Sequence, residues 1–376
     1  MNPVYITKAV AVTAMGPDIE SLYTGLMDQK SGITNITRFN NNDRCHTSPF
    51  AGMIAGLDYT KKLSLIFQLS DMLIEQLGTI EKDTFLISAS TKAGIDILGK
   101  NNADSDILSK DLLLSSLTEY IALKLRLKNK GININSACAS STIAVAKAAS
   151  LIQMGVVDSV LICCMDIVSE FVFSGFSAIG AMSDEPARPF DKNRKGLTLG
   201  EGAAAILLVN QGKAKARCNS PLCRITGWGI ANDAAHLTAP DKNGYGLKQA
   251  IQKACKKAKV SVDDIHAVNT HGTGTKYNDS MEINVIQSMF NPNQVIANSI
   301  KGAIGHTLGA AGGIEIALCV KMLQEEMMPG TIGFLDPEKG SQKIISPDPR
   351  PLKGDLILTT NSGFGGSNAA VILKKA

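Results

Sequence analysis

Short runs of continuous apolar residues alternate with longer segments of helical periodicity along most of the chain. Ser159–Cys164 is such a run, typical of a strand in a parallel or mixed sheet that helices cover on both faces. Leu247–Lys259 instead repeats apolar residues at the spacing of one helix face. The alternation predicts an α/β fold in which helices cover a sheet.

The same patterns predict most of the remaining elements. Strands are expected at Val4–Val12, Thr84–Ser88, Gly131–Ser136, Ala203–Val209, Cys223–Gly227, Ile265–Asn269, Gln294–Ala297, Leu356–Thr360 and Ala369–Leu373. Helices are expected at Leu63–Leu77, Leu112–Leu127, Ser141–Met154 and Gly313–Gln324.

The length of 376 residues exceeds that of a typical domain and predicts one large composite fold or two domains. A hydrophobic content of 44% excludes a disordered chain. The net charge of +4 is too small to indicate a nucleic-acid binder, although it would tolerate an acidic partner.

No apolar run is long enough for an integral membrane segment, and the start of the chain lacks the basic and apolar regions of a signal peptide. We therefore expect a cytoplasmic protein. Its eight cysteines are then free thiols, most of them small core residues.

A weak internal repeat is visible. Asn135-Ser136 and Asn298-Ser299 each follow a predicted strand and precede a small-residue turn and a long helix. Two matching halves of one α/β unit would explain the repeat, although so short a match also arises by chance.

Four segments carry candidate chemistry. Cys138 lies between a strand and a helix, where the helix N-terminus favours a thiolate, although it could also be a small turn residue. His271 follows a strand and precedes Thr273 and Thr275, whose hydroxyls could bind an extended polar substrate; the alternative is a turn histidine.

The other two segments are rich in glycine. Lys301 and His306 share one of them, and Glu315 could neutralise Lys301; the alternative is a solvated lysine. Phe364 lies in the other glycine-rich segment, Gly363–Asn368. One aromatic residue in such a segment suits a hinged gate with backbone N–H donors for an oxyanion; the alternative is a tight turn between two strands. One cysteine and two histidines leave open a hydrolytic Cys-His pair, a thiolase-like enzyme and a carbon–carbon condensing enzyme.

Taken in order, these motifs resemble those of the β-ketoacyl-acyl carrier protein synthases, the elongating (KAS I/II-like) condensing enzymes with a Cys-His-His site. The resemblance covers nearly the whole chain and also includes Pro189–Gly196, Gly200–Ala203 and Asn232–Pro240. It implies a thiolase-like α/β fold of two βαβαβαββ halves, residues 1–215 and 216–376, in a five-layered αβαβα sandwich. It also implies a dimer.

The resemblance implies a role for each candidate. Cys138 would accept the acyl group, and His271 and His306 would assist decarboxylation of a malonyl unit. Lys301, with Glu315 as its partner, would tune the electrostatics around His306. Thr273 and Thr275 would bind the phosphopantetheine arm of the substrate. The backbone N–H groups of Cys138 and Phe364 would form the oxyanion hole, and the Phe364 ring would gate the second substrate. Ser362 and His236 would border the site.

The implied reaction is a decarboxylative Claisen condensation giving 3-oxoacyl-acyl carrier protein. The substrates are carried on the phosphopantetheine of acyl carrier protein, and no metal or redox cofactor is required. Rival interpretations are a non-catalytic chain-length factor, which typically lacks the cysteine, and a thiolase acting on coenzyme A esters, which usually has a second cysteine near the C-terminus.

Two segments depart from the family pattern. Ser362 stands where the family often has Phe, and the loop at Ser90-Thr91-Lys92 replaces one often rich in glycine. Together with the short chain they favour a specialised synthase, and the loop resembles that of aryl polyene (polyketide-like) synthases. Such enzymes pair either with themselves or with a related chain-length-factor subunit. A row of lysines on Leu247–Lys259 could meet an acidic carrier protein, although a solvated face is the default interpretation.

Overall fold

The computed structural model describes residues 2–39, 48–99, 110–216 and 221–376. Cys45, His46 and Cys218 lie outside these ranges. Among the described residues, no helix combines the length and the apolar content needed to cross a membrane.

The first part of the chain builds eight strands and six helices in the described ranges. The strands are β1 Val4–Thr13, β2 Ile33–Asn35, β3 Phe50–Gly52, β4 Phe85–Ala89, β5 Ile132–Ile134, β6 Ser159–Asp166, β7 Leu199–Gly200 and β8 Gly202–Asn210. The helices are α1 Ile19–Met27, α2 Leu65–Glu75, α3 Leu114–Lys124, α4 Ser140–Gln153, α5 Glu170–Ala178 and α6 Gln211–Ala216.

The second part continues the alternation. Its strands are β9 Cys223–Asn232, β10 Ala267–Asn269, β11 Ile296–Asn298, β12 Met327–Met328, β13 Arg350–Pro351, β14 Leu356–Gly363 and β15 Ser367–Lys375. Its helices are α7 Tyr245–Ala258, α8 Lys276–Met289, α9 Lys301–Ile304 and α10 Ala311–Glu325. Short 3₁₀ turns occur at Ile95–Gly99, Val262–Asp264 and Leu308–Ala310.

One ten-stranded sheet runs through the molecule in the order β11-β10-β14-β15-β9-β1-β8-β6-β4-β5. The boundary between β1 and β9 divides the sheet into two sets of five strands. Counted from each outer edge to this boundary, both sets have the same order along their own part of the chain: third, second, fourth, fifth, first. The β1–β9 pair is antiparallel, from Val4 opposite Ile225 to Ile6 opposite Cys223. This symmetry is what two matching halves require, and the boundary at residues 215 and 216 stays a prediction.

The two halves of the sheet form two β layers, and helices lie between these layers and outside them, which gives five layers. Helices α4 and α10 pack on each other and contact strands of both halves, so they form the middle layer. Helices α2 and α3 cover the outer face of the first half, and α7, with α8 beside it, covers the second. Every residue of β6 is buried, which confirms the prediction made from its continuous apolar run.

The strand ends meet where the candidate residues are found. Strands β4, β5 and β6 are parallel to one another, as are β10, β11 and β14. Their C-terminal ends lead to Cys138, to His271, to the segment with Lys301 and His306, and to Phe364. The topology therefore brings residues far apart in sequence to one region of the molecule.

Candidate active site

Cys138 sits in a tight turn between β5 and the start of α4. Ala137 adopts a positive φ of 48°, which lets the chain reverse direction just before the cysteine. The Ser140 hydroxyl fixes the turn, accepting from the Ser136 N–H at 2.8 Å and donating to the Ala137 carbonyl at 2.6 Å. Cys138 is 8% exposed and lines a cavity.

His271 follows β10 in a loop whose backbone is held by two buried carboxylates of α8. Glu282 accepts from the N–H groups of His271 and Gly272 at 2.8 and 2.7 Å. Asp279, one helical turn earlier, accepts from Thr273 and Gly274 at 3.0 and 3.1 Å. Burial raises the pKa of Glu282 to about 7. The two carboxylates thus satisfy consecutive N–H groups and fix the loop.

The ring of His306 has a defined tautomer. The backbone N–H of Leu308 donates to His306 Nδ1 at 3.1 Å, so Nδ1 is an acceptor and the hydrogen is on Nε2. The backbone of His306 is fixed as well, because its N–H donates to the Thr198 carbonyl at 2.7 Å and its carbonyl accepts from Gly200.

Asn361, which the sequence interpretation missed, gives His271 the same tautomer. Its Nδ2 donates to Glu315 Oε2 at 2.7 Å, and its Oδ1 accepts from the Thr142 hydroxyl. These partners fix the orientation of the amide and direct its nitrogen to His271 Nδ1 at 3.3 Å. His271 therefore also carries its hydrogen on Nε2. A polar residue ending an apolar strand just before Ser362 was the only signal in the sequence.

Lys301 is buried, with 1% of its surface exposed, so the alternative of a solvated lysine is wrong. Its Nζ donates to the His271 carbonyl and to Glu315 Oε1, both at 2.5 Å. Glu315 is the ion-pair partner expected from the sequence. The ammonium thus holds the carbonyl of His271, while Glu282 holds its N–H.

The three candidate side chains converge. The sulfur of Cys138 and one ring nitrogen of each of His271 and His306 lie within 4.8 Å of one another. The two rings meet edge to face, with centroids 5.1 Å apart and planes at 83°. One thiol and two imidazoles therefore share a common space.

Burial and the nearby Lys301 ammonium set the charge state of these groups. Burial, with the positive charge of Lys301, holds the pKa of His271 and of His306 well below the usual value near 6.5. Both rings are therefore neutral at physiological pH. Burial raises the pKa of Cys138 to about 11, and the negative charge of Asp166 acts in the same direction. The Lys301 charge and the Phe364 N–H, which donates to the sulfur, oppose this rise.

The same three side chains are poorly arranged for a metal ion, although Cys and His are ligands that zinc prefers. A ligating histidine normally donates its second N–H to an acceptor. Here Nδ1 of His306 accepts a hydrogen bond, and a donor faces Nδ1 of His271, so each ring keeps its hydrogen on Nε2. The site fits an anion or a carbonyl oxygen better than a cation.

A cavity of about 500 Å³ leads from the surface to the three side chains. It is also lined by the other expected substrate-binding residues, Thr273, Thr275, Ser362 and His236. The two threonine hydroxyls are 2.9 Å apart. His236 is exposed at the mouth, where its Nδ1 accepts from two backbone N–H groups of its own loop at 3.1 Å.

Phe364 stands between this cavity and the solvent. Its side chain is 37% exposed and stacks on Phe176 at a centroid distance of 5.9 Å. The hairpin that carries it is held by hydrogen bonds from the Ser362 hydroxyl to Asn368 Oδ1 at 2.7 Å and from Asn368 Nδ2 to Asp233 at 2.9 Å. Ser362 therefore has a structural partner as well as a place in the lining.

The lysines of α7 lie elsewhere, on the outer layer. Lys253 donates to the Ile230 carbonyl at 2.8 Å, and Lys257 lies 4.2 Å from the centre of the Trp228 ring. These contacts within the chain favour the default interpretation of a solvated helix face.

Comparisons with known proteins agree with this geometry. Residues 88–214 match the family described as "Beta-ketoacyl synthase, N-terminal domain", and residues 222–335 match "Beta-ketoacyl synthase, C-terminal domain". A 3-oxoacyl-[acyl-carrier-protein] synthase 2 from Vibrio cholerae serotype O1 is 30% identical over 410 residues, covering 99% of this chain and 99% of the relative.

Solved structures are similar over the whole chain. The ishigamide ketosynthase/chain length factor has a TM-score of 0.89 at 24% identity, covering 100% of this chain and 99% of that one. A type II PKS acyl-carrier protein in complex with its ketosynthase has a TM-score of 0.88 at 22% identity, with coverage of 100% and 99%. The expected α/β thiolase-like fold is confirmed. With the family matches and the Vibrio relative, the resemblance found in the sequence is also confirmed, and the chain belongs to the β-ketoacyl synthase family.

Proposed function

We propose that this protein is a 3-oxoacyl-[acyl-carrier-protein] synthase that joins an acyl group to a malonyl unit by decarboxylative Claisen condensation. The observation that carries the proposal is the convergence of one thiol and two neutral imidazoles, each with its hydrogen on Nε2, at the end of one cavity. The relatives' names supply the reaction class.

The first step transfers an acyl group to the enzyme. The sulfur of Cys138 attacks the thioester carbonyl, the bond to the sulfur of the carrier's arm breaks, and the thiol proton leaves with the arm. The backbone N–H groups of Cys138 and Phe364 hold the oxyanion of the tetrahedral intermediate. Acyl-enzyme formation divides one difficult reaction into two easier ones.

The second step generates the carbon nucleophile. The malonyl carboxylate leaves as carbon dioxide, and the electron pair of the broken bond forms an enolate of the thioester. His271 and His306 donate from Nε2 to the enolate oxygen. Because both rings are neutral and fixed, they stabilise the developing charge without reorganising, and one such donor typically contributes about 10²–10³ in rate.

The third step forms the carbon–carbon bond. The enolate carbon attacks the acyl carbonyl on Cys138, and collapse of the tetrahedral intermediate breaks the carbon–sulfur bond. The thiolate recovers a proton from water. Lys301 and Glu315 act on the preceding decarboxylation step, through His271, whose carbonyl Lys301 holds.

Thr273 and Thr275 bind the phosphopantetheine arm of acyl carrier protein, and the Phe364 ring gates the entry of the second substrate. Ser362 and His236 border the path. Their places along the cavity support these assignments. The reaction requires the carrier-bound substrates and no metal or redox cofactor.

The same proposal covers partners, location and pathway. The protein acts in the cytoplasm as a homodimer, or as a heterodimer with a related chain-length-factor subunit. The departures at Ser362 and at Ser90-Thr91-Lys92 support a polyene or polyketide-like pathway (the aryl polyene type) over housekeeping fatty-acid synthesis.

Two rival functions are less well supported. A chain-length factor without catalysis typically lacks the cysteine, and Cys138 is present with both histidines. A thiolase acting on coenzyme A esters usually has a second cysteine near the C-terminus. The last cysteine here, Cys319, is instead buried within α10 and is not among the residues that line the cavity.

The test is a condensation assay with acyl- and malonyl-acyl carrier protein, with the 3-oxoacyl product and carbon dioxide both quantified. C138A is expected to abolish condensation, whereas C255A, which removes a buried thiol of α7, should leave it unchanged. Condensation by C138A would refute the proposal. Activity with coenzyme A esters alone would favour the thiolase.

A further inference from the structure

Asp166 is a buried carboxylate that neither the sequence motifs nor the proposed reaction uses. It is the last residue of β6 and is 1% exposed. No ion pair to it is found among the described residues, and burial raises its pKa to about 6, so it is mostly ionised at neutral pH. An unpaired buried charge is costly and persists only where hydrogen bonds compensate it.

The compensating donors come from two different loops. On one side are Ser90 and Thr91, which follow β4: the Ser90 hydroxyl donates at 2.9 Å, the Thr91 N–H at 3.0 Å and the Thr91 hydroxyl at 3.0 Å. On the other side the Gly309 N–H donates to Oδ2 at 2.7 Å. Asp166 therefore ties the β4 loop to the turn that follows His306.

That turn is closely fitted against Asp166. A Cβ on Gly309 would lie 2.8 Å from Asp166 Oδ2 and 2.9 Å from a methyl carbon of Thr91. The preceding residue, Leu308, has a φ of 51°, an unfavourable conformation for a leucine. A strained residue of this kind needs its surroundings to hold it.

The conformation of Leu308 determines the tautomer of His306, since it is the Leu308 N–H that donates to Nδ1. Because Leu308 directly precedes Gly309, the anchoring of the Gly309 N–H by Asp166 also restricts the position of the Leu308 N–H. We propose that Asp166 is a positioning residue that anchors the turn after His306 and so keeps the His306 hydrogen on Nε2, facing the reacting atoms. The inference rests on the proposed function for its catalytic meaning, although the tautomer itself is a property of the free enzyme.

The test compares the wild type with D166N and with a matched control, D96N. Asn at 166 keeps the shape but replaces an acceptor oxygen by an amide, which must then oppose either the Thr91 or the Gly309 N–H. Asp96 is also buried, at 2%, and accepts from the Ser64 hydroxyl and the Leu65 N–H away from the histidines. Circular dichroism establishes which variants fold.

The primary readout is ¹⁵N NMR of histidine-labelled protein, which distinguishes a ring with hydrogen on Nε2 from one with hydrogen on Nδ1. We expect wild type and D96N to show His306 as a single Nε2–H tautomer and D166N to show a mixture. A single unchanged tautomer in folded D166N would overturn the inference. This readout needs no activity, so it stands even if the proposed function fails.

The second readout separates the two half-reactions. We expect D166N to lower the turnover number for malonyl decarboxylation about tenfold, with the KM for malonyl carrier protein changed less than about twofold. Acyl transfer to Cys138 should not fall below about a third of the wild-type rate, because the Asp166 charge raises the pKa of Cys138 and its removal favours the thiolate. Equal loss in both half-reactions would indicate a general structural role and would also overturn the inference.

If D166N does not fold, T91V replaces it. Valine keeps the volume of Thr91 but removes its hydroxyl donor to Asp166 Oδ2, the oxygen that also accepts from Gly309. The same tautomer change is expected at smaller amplitude, with a fall in decarboxylation of about two- to fivefold. A folded T91V with unchanged tautomer and decarboxylation would contradict the role of Asp166.

Discussion

At the scale of single residues, the site depends on which nitrogen of each imidazole carries hydrogen. Leu308 and Asn361 settle this for His306 and His271 by placing a donor at Nδ1. The sequence could identify Cys138, His271, His306 and Lys301 because each stands in a glycine-rich or small-residue segment. The sequence could not identify Asn361, because its role depends on the contact with His271, which is 90 residues away in the chain.

The charge state of the histidines leads to a prediction about pH. Because burial and Lys301 lower the pKa of both rings, they stay neutral as the pH falls through the usual value near 6.5. We expect ¹⁵N NMR of histidine-labelled protein to show both rings neutral throughout the range from pH 8 to pH 6. Far-UV circular dichroism is the check on folding. Protonation of either ring with a midpoint near 6.5 would show that this ring titrates normally.

Lys301 and Glu315 give a prediction about stability. K301M leaves a buried carboxylate without its cation, and we expect the free energy of unfolding to fall by about 3–5 kcal/mol. The double variant K301M/E315Q removes the uncompensated charge and should recover a large part of that loss. Urea denaturation measures both.

The control is the pair between Lys124 and Asp71, whose side chains are 46% and 35% exposed. K124M should change the free energy of unfolding by less than about 1 kcal/mol. If K301M were as mild as K124M, Lys301 would not be the buried cation of the site.

At the scale of elements, the strands were the most predictable, because buried strands are continuous apolar runs. Helix α8 was missed for a physical reason: its inward face is polar and breaks the apolar period. Asp279 and Glu282 bind the loop of His271, and Asn278 donates to Glu282. Helices α1, α5, α6 and α9 were missed as well, and so were the short strands β2, β3, β7, β12 and β13 outside the large sheet. Strand β9 continues to Asn232, beyond the predicted end at Gly227. The prediction stopped too early because glycines in a sequence usually indicate the end of a strand.

Those glycines are required by close packing. A Cβ on Gly229 would lie 2.0 Å from the Ala250 carbonyl oxygen of α7. We expect G229A to push the helix from the strand and to lower the free energy of unfolding by about 1–3 kcal/mol. Gly175 in α5 has nothing within 4 Å, so G175A should be neutral or stabilising by up to about 1 kcal/mol. Thermal melts of both compare them, and equal effects would contradict this account of β9.

At the scale of the whole molecule, two similar halves share one sheet and one middle layer. Helix α4 from the first half and α10 from the second pack on each other and on strands of both. The alternation of elements and the short Asn-Ser repeat predicted this plan. The depth of the interlocking could not be predicted, since a helix covered on both sides has the same apolar composition as any buried helix.

This shared layer predicts that the halves do not fold separately. Residues 1–215 or 216–376 alone would expose the faces of α4 or α10 that the other half covers. We expect neither fragment to unfold cooperatively in urea, and co-expression to restore a folded complex. Cooperative unfolding of either fragment by itself would show two independent domains.

The central claim, that Cys138 carries the acyl group, is tested most directly by mass spectrometry of the intact enzyme and its peptides after incubation with acyl-acyl carrier protein. We expect one acyl group per chain, located on the peptide that contains Cys138 and absent from C138A. An acyl group on a different cysteine, or condensation without any adduct at Cys138, would contradict it.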